Sequence, residues 1–369
     1  MGTSVAEAVD ALVLAAPRQF ALQSLPRPVV QEDTGLLRVE ACGLCGTDHE
    51  QFTGALHPGR PFVPGHEVVG VVEEVGSRAA ERWGVAVGDR VAVEVFLGCG
   101  ACDACRAGEL RRCRRHGLRT MYGLVGTEVG SGLNGGYATH LELRADSLLL
   151  PVPEVLDPIL ATVFNPLGAG IRWGVRLPRL APGEVVAVLG PGIRGLCVAA
   201  AAKDAGAAFV MVTGAGERDA ERLAWAERLG ADLTVDVTQA DPLAALREAA
   251  GRRADVVVDV TAMAPTAFAQ AISLATQGGR VVVAGTRGFD AEAPGFHPDE
   301  LVGKELQVLG ALGVDLDDHA AALDLLATGR FPFADLPREV VGLDGAEQLL
   351  ARMAGEGDLA PPIHGVVAP

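Results

Sequence analysis

Val185-Val186-Ala187-Val188-Leu189-Gly190-Pro191-Gly192-Ile193-Arg194-Gly195 decides the fold. Its first five residues form an unbroken apolar run, the mark of a strand covered on both faces. A G-x-G-x-x-G turn follows, and then an alanine-rich stretch reaching Ala205. In a strand–turn–helix of this pattern the glycines allow a tight turn, and a dinucleotide pyrophosphate can rest against the helix N-terminus. Gly190, Gly192, Ile193, Arg194 and Gly195 are therefore candidate cofactor-binding residues, the alternative being a glycine-rich turn that binds nothing. Further strands are expected at 209–213, 233–235, 256–260, 280–284 and 306–310. Helices are expected at 196–205, 218–229, 242–250, 265–274 and 298–303. That alternation predicts a parallel, doubly wound sheet.

The end of the second strand bears on which dinucleotide fits. An NAD site usually carries an acidic residue there for the ribose 2′-hydroxyl. Here Thr213 ends the strand and Gly214 holds the acidic position. Without a carboxylate nothing repels a 2′-phosphate, and Arg218 is near enough in sequence to pair with one. The pattern leans to NADP, while Glu217 and Asp219 beside Arg218 leave NAD open.

Before residue 165 the chain reads differently. Short valine-rich runs at 36–39, 68–75, 90–95 and 137–143 are separated by glycine and proline, as in a β-rich domain of short strands. From about 311 the tail carries a helix at 319–326, strand-like pieces containing proline, and a second helix at 346–353, and it is expected to return to the first domain. Cys99, Cys102, Cys105 and Cys113 have the spacing C-x2-C-x2-C-x7-C. Four thiolates so close in sequence can close a tetrahedral zinc shell with no open position, so this site reads as structural. Disulfides or buried thiols are the alternative.

Composition narrows the class. With 49% hydrophobic residues in 369, a large core is available. The 31 Lys and Arg against 47 Asp and Glu give a net charge of −16, which disfavours nucleic acid and anionic lipid. One basic cluster, Arg111, Arg112, Arg114 and Arg115, has no aromatic residues interleaved. No run is long and apolar enough to span a membrane, and none reads as a signal peptide, so a cytoplasmic location is expected.

Two further segments complete the picture: Cys45-Gly46-Thr47-Asp48 and Gly65-His66-Glu67-Val68-Val69-Gly70. With Gly88-Asp89-Arg90-Val91, the cysteine knuckle, Gly135-Gly136-Tyr137-Ala138 and the glycine turn, they appear in the order that resembles a zinc-dependent medium-chain alcohol dehydrogenase. The resemblance spans most of the chain and implies an α/β fold. A GroES-like, β-rich catalytic domain would cover 1–167, completed by 311–369, and a Rossmann doubly wound parallel sheet would cover 168–310. It implies two Zn2+ per subunit, one catalytic and one structural, together with NADP or NAD. The substrate would be a small-molecule alcohol or its carbonyl. Nucleic-acid and membrane partners are not implied, and a homo-oligomer, dimer or tetramer, is expected.

Residue by residue, the resemblance makes Cys45 and His66 catalytic zinc ligands. Thr47 becomes the hydroxyl that meets the substrate alcohol, and Asp48 the carboxylate that orients the ligand histidine. Glu67 is either a direct ligand or a supporting carboxylate. Two positions depart from the usual pattern. Asn165, before Pro166-Leu167, stands where a Cys or Glu ligand is common, and an amide is a poorer zinc ligand. Asn165 would then bind weakly or through water, or Glu67 would ligate directly, as in sugar dehydrogenases with a similar segment. Glu50 stands where many members have a relay histidine, with His49 beside it. These departures pull toward polyols and sugars. Phe52, Phe96, Phe164 and Trp173, as possible pocket walls, hint instead at a bulky or secondary alcohol. Two other readings stay open: a zinc-independent enone or quinone reductase of the same superfamily, and a non-catalytic nucleotide-binding protein with a decayed metal site.

Overall fold

Past residue 165 the apolar runs become six parallel strands. In the computed structural model, which describes residues 8–262, 264–288, 290–356 and 360–369, their spatial order is Leu233–Asp236, Phe209–Gly214, Val185–Leu189, Ala254–Asp259, Ala275–Val283 and Gln307–Gly310. The order runs outward in both directions from Val185–Leu189, as in a doubly wound dinucleotide-binding sheet. All five pairings are parallel. Val185, Ala187, Leu189, Met211, Val257 and Val281 supply the buried centre. Helices Ile193–Asp204, Ala220–Arg228, Pro242–Ala250, Ala267–Leu274 and Pro298–Lys304 connect the strands. Local chemistry sets their ends: Asp241 caps Pro242–Ala250 by accepting from the Ala244 N–H at 2.6 Å, and Gly251 closes it at φ +72°. Sequence periodicity places the fifth strand at 280–284, but it begins at Ala275. Its first half, Thr276-Gln277-Gly278-Gly279, carries no apolar run to announce it.

The other compact unit comprises residues up to Phe164, Asp315–Ala327 and Pro337–Pro369. Residues Asn165–Val314 and Thr328–Leu336 form the unit with the parallel sheet. The first unit is built on a seven-stranded sheet: Arg338–Val341, His364–Val367, Gly35–Gly43, Glu67–Val75, Arg90–Val93 and Leu149–Pro151, with His140–Leu143 also paired to Gly35–Gly43. A hairpin of Ala8–Ala16 and Gln19–Pro26 lies against it through bridges at Ala11–Ala138 and Leu14–Phe62. Val13, Leu14, Leu37, Val68, Val72, Val91 and Leu141 are fully buried between these layers. The C-terminal strand reaches the centre of the sheet, Val366 and Val367 pairing with Gly43 and Cys42. Among the described residues no helix is long and apolar enough to cross a membrane.

Candidate active site and metal centres

Strand Gly35–Gly43 delivers the chain to Cys45, which caps helix Gly46–Thr53. The Cys45 sulfur accepts from the Thr47 N–H at 3.3 Å, and Asp48 Oδ2 accepts from the Cys45 N–H at 2.9 Å. Together these bonds fix the Cys45 sulfur at the start of the helix. His66 arrives on the turn before strand Glu67–Val75. Gly65 makes that turn at φ +90°, where a Cβ would lie 2.6 Å from the Tyr137 ring and 2.8 Å from the Cys42 sulfur. The glycine is required by both conformation and space.

The result is a buried cluster. Cys45 Sγ lies 3.2 Å from His66 Nε2, and a Glu67 oxygen joins them, all three donor atoms within 4.8 Å of one another. A tetrahedral zinc with ordinary Zn–S and Zn–N lengths separates its S and N ligands by about 3.5 Å. The donors are thus already near liganding distance, and one thiolate, one imidazole and one carboxylate form a set zinc accepts. His66 Nδ1 faces Asp48 Oδ1 at 3.7 Å, so Asp48 holds the Cys45 backbone with one oxygen and faces the histidine with the other. Cys42 and Tyr137 lie behind the cluster. Burial, reinforced by the charges of Asp48 and Glu67, pushes both well above their usual range and keeps them protonated.

Glu67 reaches the cluster because of Gly43. The two residues face each other across the antiparallel ladder, and a Cβ on Gly43 would sit 2.5 Å from Glu67 Oε2. The motif reading passed over Gly43, since only the strand register gives it meaning. Thr47 and Glu50 lie half-buried on the same helix, three residues apart and so on one face. Burial lowers the neighbouring His49 below the usual histidine range.

The four knuckle sulfurs also lie within 4.8 Å of one another, with Cys99 and Cys105 at 3.9 Å, and no disulfide links them. A Zn(Cys)4 tetrahedron has sulfur–sulfur edges of about 3.8 Å, so the residues fit the ion. Burial acts to raise the Cys113 thiol, but the backbone N–H groups of His116, Cys99 and Arg115 outweigh it and hold it at about 6. The nearby arginines are largely occupied: Arg111 pairs with Asp315 and Glu109, Arg112 with Glu109, and Arg114 with Asp103.

In the other unit, Gly190 takes φ +101°, and a Cβ on Gly195 would lie 1.9 Å from the Gly190 carbonyl oxygen. The turn therefore closes on its own helix only with glycine at 195, leaving the helix N-terminus open beside Gly192, where a Cβ would meet nothing. Such a glycine turn suits a pyrophosphate. Gly214 ends its strand buried, Asp219 is engaged with the Ala215 N–H and with Arg222, and Arg218 is exposed. Asn165 is buried, and its Oδ1 accepts from Arg194 Nη2 at 3.3 Å. Of the possible pocket walls, Phe52 stacks on Phe20, Phe96 packs with Val95 and Leu110, Phe164 meets His319, and Trp173 lies under Arg194. Glu94 and His319, joined at 2.6 Å and wholly buried, escaped the motif reading because they are far apart in the chain.

Residues 31–154 match the alcohol dehydrogenase GroES-like domain, and residues 195–328 match the zinc-binding dehydrogenase domain. A Mycobacterium tuberculosis protein named "Probable alcohol dehydrogenase adh" is 63% identical over 98% of both chains. Sorbitol dehydrogenase of Bacillus subtilis is 30% identical over 77% of both chains. Among solved structures, a zinc-binding dehydrogenase of Sinorhizobium meliloti bound to NADP superposes with a TM-score of 0.84 at 29% identity. That match covers 98% of this chain and 100% of the other.

Proposed function

The chain belongs to the zinc-type medium-chain dehydrogenase family and is an alcohol oxidoreductase, and on that premise we propose which residues do the work. Cys45, His66 and Glu67 hold a catalytic zinc, and Cys99, Cys102, Cys105 and Cys113 hold a structural one. The observation that carries this reading is the buried Cys45–His66–Glu67 cluster, with sulfur and imidazole nitrogen 3.2 Å apart. When bound, zinc supplies Lewis-acid polarisation of the substrate oxygen, and the nicotinamide supplies the hydride acceptor or donor. Thr47, on the first turn of its helix, takes the hydroxyl proton of the alcohol and passes it toward Glu50 one turn along. Asp48 holds Cys45 and His66 in register.

The substrate is proposed to be a secondary alcohol, with polyols and sugars included. Glu50, the Asn165-Pro166-Leu167 segment and the likeness to sorbitol dehydrogenase support that class. The cofactor is proposed to be NADP, bound by Gly190, Gly192, Ile193, Arg194, Gly195, Gly214 and Arg218. Arg218 is exposed, with no ion-pair partner among the described residues, while Arg222 occupies Asp219 at 3.1 Å. The Sinorhizobium structure is likewise bound to NADP. The chain is further proposed to form a homo-oligomer through the edge strand Gln307–Gly310, beside which Val302, Val308 and Leu312 are exposed.

The test is zinc per chain in protein purified without added metal, followed by alcohol-dependent reduction of NADP and NAD. Two zinc ions per chain and loss of both one zinc and activity in Cys45→Ala are expected. Full activity in Cys45→Ala refutes the reading.

A further inference from the structure

Asn165 stands where the family pattern often places a zinc ligand, yet its side-chain oxygen is given to Arg194 within its own unit. It is the second residue of helix Phe164–Ile171 and is buried. Its amide oxygen accepts from Arg194, the second residue of the helix that follows the glycine turn. The same guanidinium lies 5.1 Å from the centroid of the Trp173 ring, and the Trp173 N–H donates to the Gly313 carbonyl at 3.1 Å. A cation in the first turn of a helix opposes the helix dipole, so neighbours must hold it there. Asn165 and Trp173 do so, by a hydrogen bond and a cation–π contact.

The segment carrying both residues is fitted closely to the nucleotide helix. A Cβ on Gly170 would lie 2.5 Å from the Cys197 carbonyl oxygen, and one on Gly174 would lie 2.9 Å from Val198 Cγ1. A side chain at Gly170 would strike backbone of helix Ile193–Asp204, so the glycines let this segment pack closely on that helix. Because of that fit, the position of Asn165 fixes where Arg194 stands at the mouth of the turn.

We propose that Asn165 is a positioning residue for the dinucleotide site and not a ligand of the catalytic metal. It holds Arg194 at the first turn, where an anionic dinucleotide is received. The proposal rests on the reading that Cys45, His66 and Glu67 hold the catalytic zinc.

The experiment measures two quantities on the same preparations of the full chain. Zinc per chain is counted, and NADPH and NADH are titrated by nucleotide and tryptophan fluorescence. For Asn165→Ala, zinc is expected to match wild type while the dissociation constant of the reduced dinucleotide rises about tenfold, equivalent to about 1.4 kcal/mol. Asn165→Asp, which keeps an oxygen to accept from Arg194, is expected to bind dinucleotide as wild type does. Arg194→Gln combined with Asn165→Ala is expected to bind no more weakly than Arg194→Gln alone. Loss of one zinc in Asn165→Ala, an unchanged dissociation constant, or an Asn165→Asp variant as weak as Asn165→Ala each overturns the proposal. A wild-type chain carrying only the knuckle zinc would refute the zinc reading instead, and the nucleotide titrations would still decide the role of Asn165.

Discussion

Gly43→Ala is expected to empty the catalytic metal centre while leaving the fold standing. The new Cβ would lie 2.5 Å from Glu67 Oε2, 3.3 Å from Glu67 Cβ and 3.4 Å from Thr162 Cβ. Ordinary contact begins near 3.4 Å, so the carboxylate must retreat by about 0.9 Å, while the two carbon contacts leave the backbone little reason to move. Zinc–ligand distances lie within about 0.2 Å of their ordinary values, a spread several times smaller than this retreat. Zinc affinity is therefore expected to fall on the order of 100-fold, the upper range for disturbing the groups around a metal. The overpacking costs the fold about 1–3 kcal/mol, a loss of a few degrees in melting temperature. Gly46→Ala is the control, since a Cβ there meets nothing within 4 Å. Both variants are dialysed against a mild chelator, and zinc per chain is measured beside thermal melting. Gly43→Ala is expected to keep only the knuckle zinc, and Gly46→Ala to match wild type. A Gly43→Ala protein that holds its second zinc as firmly as wild type refutes the assignment of Glu67 as a ligand.

His364 gives a pH signature: burial, with the charge of Arg338 added, lowers it from 6.5 to about 3. Below pH 6.5 the unfolded chain takes up a proton that the folded chain refuses. Stability should therefore fall as pH drops through that window, by up to about 1.4 kcal/mol per unit from this group. Urea unfolding at pH 7, 6 and 5 should show a shallower decline in His364→Gln, and identical slopes would contradict the account. Arg218→Ala should weaken NADPH binding about tenfold and leave NADH unchanged; equal effects on the two would remove Arg218 from cofactor choice. Val308→Lys places a charge on the exposed edge strand and should lower the oligomeric state in sedimentation, since edge charges block strand pairing. An unaltered sedimentation coefficient would place the contact elsewhere.

The sequence by itself determined the elements whose cause is local. Val185–Leu189 is apolar throughout because a parallel strand is covered on both faces, and Pro242–Ala250 begins and ends where Asp241 and Gly251 place their caps. The knuckle was legible because its four cysteines fall within fifteen residues, and Cys45 and His66 were legible because each sits in a recognisable motif. The hairpin Ala8–Ala16 and Gln19–Pro26 was not read, nor was the seat of His364–Val367 beside Gly35–Gly43. Only the tertiary structure decided that Gly43 faces Glu67, that Asn165 gives its oxygen to Arg194, and that Glu94 meets His319. Periodicity and capping depend on neighbours a few residues away, so they are written in the chain. Strand register and helix–helix contact depend on which distant surfaces close against each other, and one residue of slip would turn Glu67 to the opposite face.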